Sequence, residues 1–135
     1  ERSGPYRSWG EAKIAEVLNG YKIPFLYEHP LAVIDRGKTK IWYPDFQLPF
    51  YGLLIEYFGR PTDPSYAEGM VKKQGVYQSN GISALFFTPT LFQKEGWPSA
   101  LVGKIEGLLE DRVRDCQSRI RQNSPGNGRD ASSGR

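Results

Sequence analysis

Residues 43–60, YPDFQLPFYGLLIEYFGR, decide how the rest of the chain is read. Asp45 follows a proline, and Glu56 is embedded among Leu53, Leu54, Ile55, Tyr57 and Phe58. Carboxylates are rarely buried without a partner or a metal, so an acid in the most apolar run of the chain demands an explanation. Alternate residues of a strand share a face, which puts Glu56 with Leu54 and Phe58, and Ile55 with Tyr57 on the other side. Both faces are apolar, and Glu56 has no solvated side to point to. The short QLPFYG connection makes the strands bearing the two acids neighbours, and their separation of eleven residues brings the carboxylates together. Two unpaired anions that close repel, and one holds its proton. A hard divalent cation such as magnesium relieves this, taking oxygens from one or two carboxylates, water and a substrate phosphate. The competing reading makes Asp45 a surface turn residue and pairs Glu56 with an arginine such as Arg60. Spacing alone leaves both open.

Outward from this stretch the elements follow in order. Upstream, FLYEHPLAVI and TKIWYPDF read as two extended segments joined as a hairpin across Asp35, Arg36, Gly37 and Lys38. Before them, residues 8–18 read as a helix: Ser8 and Glu11 form an S-x-x-E capping box, Ile14, Val17 and Leu18 make the apolar stripe, and Gly20 stops it. Downstream, GRPTDPS is a loop, 66–79 has helical spacing closed by Asn80-Gly81, and ISALFF is a second buried strand ending at Thr88-Pro89. A long helix follows EGWPS, with Leu101, Val102, Ile105, Leu108, Leu109, Val113, Cys116 and Ile120 on one side. The order is αβββαβα. A strand, a crossover helix and a second strand give a parallel pair, while the earlier short connections give antiparallel ones. The prediction is an α/β protein with a mixed central sheet flanked by helices, plus a C-terminal helix. One domain spans 1–121, and the Ser/Gly/Asn/Arg-rich residues 122–135 are predicted to be a disordered basic tail.

The helix at 66–79 holds the decisive oddity. Tyr66, Met70, Lys73 and Tyr77 fall on one stripe, and a lysine therefore sits among residues expected to pack on the sheet. Buried beside two carboxylates, Lys73 stays charged and is able to stabilise a phosphate; snorkelling into water is the alternative. Lys72 comes four residues after Glu68, an ion-pair spacing suited to a solvent face. Glu11 as third residue of a capping box bonds back to Ser8, yet it also lies on the inward stripe and is able to reach a metal on the sheet.

Composition sets the outer bounds. The net charge is +3, and residues 111–135 alone supply that excess through six arginines against three aspartates. A basic balance carried by a tail is weak support for nucleic acid; the RGKTK cluster of Arg36, Lys38 and Lys40 is a better one, beside its reading as a solvated hairpin tip. Cys116 is the single cysteine, which excludes an internal disulfide or a cysteine-rich zinc site and points to a reducing, cytoplasmic setting. No apolar run approaches the roughly 18 residues that span a membrane, and no signal pattern opens the chain. The absence of an initial methionine is read as a segment of a longer polypeptide. His29 is the single histidine, and no glycine-rich phosphate loop or nucleophile elbow is present.

A short PDF strand followed after eleven residues by IEYFG resembles the PD-(D/E)XK nuclease superfamily, over roughly residues 6–90. The resemblance implies a restriction-endonuclease-like αβββαβ core in which Asp45 and Glu56 bind magnesium, with manganese able to substitute and the Tyr57 carbonyl as a further ligand. Glu11 in SWGE matches the glutamate that the first helix of that family often contributes. The family's lysine stands two residues after its acid, where this chain has Phe58. Some subfamilies carry it on the following helix in a pattern EhFG…Y…M-x-W-K, and here Tyr66, Met70 and Lys73 keep that spacing, similar to very-short-patch-repair-like and helicase-associated nuclease segments. The implied activity is a magnesium-dependent endonuclease acting on DNA, with Asp45, Glu56, Lys73 and Glu11 catalytic. Arg36, Lys38, Lys40 and Lys72 would contact the phosphate backbone. The alternative is a non-cleaving nuclease-fold module that binds nucleic acid or acts as a scaffold. Homodimerisation stays open.

Overall fold

A computed structural model describes residues 4–123. It is a mixed α/β protein: helix α1 (Trp9–Gly20), strands β1 (Leu26–Tyr27), β2 (Leu31–Asp35), β3 (Lys38–Trp42), β4 (Phe46–Leu48) and β5 (Leu53–Tyr57), helix α2 (Pro64–Ser79), strand β6 (Ser83–Phe87), a 3-10 turn (Pro89–Gln93) and helix α3 (Trp97–Asn123). The chain divides into two compact units at Pro98/Ser99. In the second, the apolar residues of α3 recur at helical spacing, and the tail proposed for 122–135 lies outside the described residues from position 124 on.

Four strands form one sheet in the order β1-β4-β5-β6. β5 and β6 are parallel, with Leu54 opposite Ala84 and Glu56 opposite Phe86, and α2 is the crossover between them. β4 runs antiparallel to β5, with Phe46 opposite Ile55 and Leu48 opposite Leu53. The sheet is mixed, as the spacing predicts. One expectation is corrected: the two long extended segments are not single strands. Each is broken, the first around Glu28–Pro30 and the second at Tyr43–Asp45, so that β1 and β4 join the main sheet while β2 and β3 form a separate two-stranded ribbon. Glu28 has φ 51°, and prolines stand at both breaks, which stops the ladder on both sides at one level. The ribbon's turn is Arg36-Gly37, with φ 55° and 76°, the doubly positive pattern of a type I′ hairpin.

Strand β5 is buried on both faces, and this explains its near-continuous apolar run. On one face, Leu54 clusters with Val76 and Tyr77 of α2 and Val33 of the ribbon, with Leu31, Trp42 and Phe86 packed against them. On the other, Ile55 lies opposite Phe46, and the backbone of α1 comes so close at Gly10 that a Cβ there would sit 2.3 Å from the Tyr57 ring. Ile14, Ala15 and Leu18 of α1 are buried. Fully burying each such Leu or Ile side chain contributes about 1.5–3 kcal/mol. α2 starts where Asp63 accepts the amides of Ser65 and Tyr66 and Pro64 takes the first helical position. No described helix is long and apolar enough to cross a membrane.

Candidate active site

The β4–β5 register, continued by one residue, sets Asp45 directly opposite Glu56, and cross-strand partners share a face. Their separation of eleven residues is thus a hairpin geometry. The Asp45 amide donates to Glu56 Oε1 at 3.3 Å, and Asp45 Oδ2 accepts the Tyr57 amide at 2.7 Å. Each acid is held by a backbone group that belongs to the other or adjoins it, and the two lie side by side at the carboxyl end of β5. Asp45 is neither a surface turn residue nor a lone acid.

Glu56 is 1% exposed, and two hydrogen-bond donors and one ammonium account for it. Besides the Asp45 amide, the Tyr77 hydroxyl donates to Oε2 at 2.5 Å, and Lys73 Nζ stands 3.5 Å from Oε1. Lys73 and Tyr77 are one turn apart on α2, so the helix that packs on the sheet delivers an ammonium and a hydroxyl to the same carboxylate. The alternative pairing of Glu56 with Arg60 does not occur: the Arg60 guanidinium lies over the Tyr66 ring at 5.1 Å. Phe58, where a lysine was expected from the resemblance, is buried, stacked on Phe86 and edge-on to Tyr66. Lys73 Nζ lies 5.9 Å from its ring centroid, so the aromatic stands against the lysine from the helix.

Burial first, and the Glu56 charge second, push Asp45 up to about 7, against the pull of the Tyr57 amide and Lys73. Two acids forced together with only part of a counter-charge repel each other, and an added cation would relieve that repulsion. Tyr77 is pushed upward, by burial first and by its contact with Glu56, and it remains a protonated donor.

Glu11 belongs to the same cleft from the α1 side and is 7% exposed. Half of the capping box forms: Ser8 Oγ accepts the Glu11 amide at 3.2 Å. The return bond is corrected, because the Glu11 carboxylate accepts the Tyr27 hydroxyl from β1 instead. Tyr27 Oη in turn accepts the Arg7 amide at 3.0 Å, and burial, then the Glu11 bond, raise its pKa. The cleft between these walls has a volume of about 660 Å³. Asp45, Glu56, Glu11, Lys73 and Tyr57 all line it.

The expected phosphate-contact residues gather elsewhere. None of Arg36, Lys38, Lys40 and Lys72 lines the cleft. Lys72 is not paired with Glu68; its Nζ lies 3.5 Å from Asp35 Oδ2, which also accepts Lys40 at 2.9 Å. The Lys40 hydrogen bond and the two charges hold the Asp35 carboxyl below its usual range. Arg36 and Lys38 stand exposed at the ribbon turn.

Among the described residues, no group of three or more His, Cys, Asp or Glu side chains forms a metal cage by itself. The candidate donor set is therefore the Asp45–Glu56 pair. Its chemistry suits magnesium, which takes oxygen ligands, is content with one or two carboxylates and fills its octahedron with water and phosphate oxygens. No family model matches the chain, and no curated protein and no solved structure matches it either. The site thus rests on its own geometry. Tyr77 and Tyr27 are hydrogen-bonded neighbours of Glu56 and Glu11 that the sequence does not single out. The available signal was chemical: a tyrosine on a core-facing stripe needs a partner for its hydroxyl.

Proposed function

We propose that this chain is a metal-dependent nuclease of restriction-endonuclease-like architecture that hydrolyses phosphodiester bonds in DNA. The observation that carries this reading is the interlocked pair Asp45–Glu56 with Lys73 3.5 Å from Glu56 at the floor of an open cleft. Asp45 and Glu56 are the residues that would hold magnesium or manganese, which when bound polarises a phosphate and lowers the pKa of water.

The chain's own groups do the rest. Tyr77 and the Asp45 amide fix the orientation of Glu56, so its carboxylate needs no reorganisation when a ligand arrives. Lys73 has a side chain 37% exposed, and its ammonium is open to a phosphate oxygen as well as to Glu56. A fixed positive charge beside an oxygen that gains charge in the transition state is worth about 10²–10³ in rate. Arg7, on the rim, is tethered to Glu28 at 3.0 Å and keeps a second cation at the cleft mouth.

The rival is a non-cleaving module, for which Phe58 in the strand position of the family's lysine speaks. The approach of Lys73 to Glu56 from α2 favours the enzyme, because it restores the charge that Phe58 lacks. Incubation with supercoiled, linear and branched DNA in magnesium, manganese or EDTA tests the two. Cleavage in either metal, abolished by EDTA and by Glu56→Gln, is expected. Binding without cleavage of any of the three in either metal leaves the rival.

A further inference from the structure

One wall of the cleft is not used by the acids. It runs along α2 and the loop before it, through Arg60, Tyr66, Gly69 and Lys73. The Tyr66 ring is held edge-on by Phe58 at 5.4 Å, and the Arg60 guanidinium lies on it at 5.1 Å. No described carboxylate is within ion-pair distance of Arg60; Asp63, whose charge Arg60 does influence, turns its Oδ1 to the amides of Ser65 and Tyr66. A guanidinium stacked in this way leaves its edge donors free for a phosphate and its outer face free for a planar group.

Gly69 adds an independent observation. It follows Tyr66 by three residues and precedes Lys73 by four, which puts it on the same face, and a Cβ there would meet nothing within 4 Å. A glycine inside a helix costs about 1 kcal/mol relative to alanine, and no neighbour in the fold requires this one. Gly75 has equally open surroundings, but it does not line the cleft. At Gly69 the missing side chain leaves helix backbone open between Arg60 and Lys73 on the cleft wall. Across the cleft, Tyr43 is 60% exposed and offers a second ring.

We propose that Arg60, Tyr66, Gly69 and Tyr43 form a subsite for an unpaired nucleotide strand, its phosphate on the Arg60 edge and a base against the exposed planes. The proposal rests on the nuclease reading for the class of ligand. It goes beyond that reading in choosing single strands over duplex. In a duplex each base face is covered by its neighbours, so stacking planes beside a cation select a strand whose bases are free.

The test uses fluorescence anisotropy in EDTA, where nothing is cut, with a labelled oligothymidylate of roughly a dozen nucleotides and a blunt duplex. The parent protein should bind the strand about tenfold more tightly than the duplex. Arg60→Ala and Gly69→Leu should each weaken strand binding about tenfold, the loss of one charge-assisted contact or its occlusion. Gly69→Leu should melt no lower than the parent, because leucine favours the helix and enters open space; if it melts lower, Arg60→Ala decides. Equal affinity for strand and duplex, parent-like binding in the deciding variants, or no strand binding overturns the subsite. Strand binding by a protein that cuts no DNA removes the nuclease reading and leaves the subsite standing. Cleavage of single strands at the parent rate by both variants does the reverse.

Discussion

Replacing Asp45 by asparagine keeps the shape of the side chain and an oxygen able to accept the Tyr57 amide, but removes the half-buried one of two adjacent charges. In the unfolded chain Asp45 releases its proton near 3.8, and in the folded protein burial and Glu56 raise this to about 7. Between those values the folded state binds more protons than the unfolded one. This term therefore makes stability fall as pH rises through that window and has run its course above about 7. About three pH units at 1.36 kcal/mol each give about 4 kcal/mol, an upper bound because the site relaxes and admits water. Half of it is about 2 kcal/mol, or roughly 8 °C in Tm for a chain of this size. Thermal melts of parent and Asp45→Asn in EDTA at pH 5 and pH 8 measure the effect. The variant should melt well above the parent at pH 8, and the gap should narrow at pH 5, where the parent's Asp45 is already protonated. A gap independent of pH, or a variant less stable at pH 8, refutes the account of two crowded carboxylates. Magnesium should reverse the ranking, because it stabilises only a protein that keeps both ligands.

Lys73→Ala should lower the cleavage rate by about 10²–10³ with magnesium affinity retained, whereas Lys72→Ala should change it little; single-turnover assays and calorimetric titration separate the two. Tyr77→Phe leaves Glu56 Oε2 without its donor in a buried setting, at a cost of about 1–3 kcal/mol in urea unfolding, and should weaken magnesium binding through a less fixed carboxylate. Gly10→Ala drives a methyl group to within 2.3 Å of the Tyr57 ring and should destabilise the fold by about 1–3 kcal/mol, read by the same unfolding curve.

What could be read from the sequence was whatever local periodicity controls. The parallel β5/β6 pair follows from two apolar runs and a helix between them. The approach of Lys73 to Glu56 follows from the Tyr66, Met70, Lys73, Tyr77 stripe, and the meeting of Asp45 with Glu56 follows from a short hairpin. The misses share a different cause: a partner brought from far along the chain outcompetes a local one. Glu68 is four residues from Lys72, yet Asp35 of the ribbon takes it. Ser8 is three residues from Glu11, yet Tyr27 of β1 takes the carboxylate. The split of the extended segments was marked by Pro30 and Pro44, but which side of each break joins the sheet depends on pairings that no local pattern specifies.

The ribbon's attachment to α2 has a consequence for how the protein opens. Asn80, just past the end of α2, accepts the Ile34 amide and donates to its carbonyl, both at 2.9 Å, so one side chain extends the edge of β2 as a strand would. Lys72 reaches Asp35, and Trp42 meets the Tyr77 ring edge-on at 5.6 Å. α2 contains two glycines, and its own propensity is poor; the ribbon alone is a two-stranded hairpin of marginal stability. Each therefore leans on the other for part of its support. Amide exchange in α2 and in β2 should then occur through one shared opening, with matching protection at Val76 and Val33. The cation that faces the acids is thereby supported by a hairpin that never touches them.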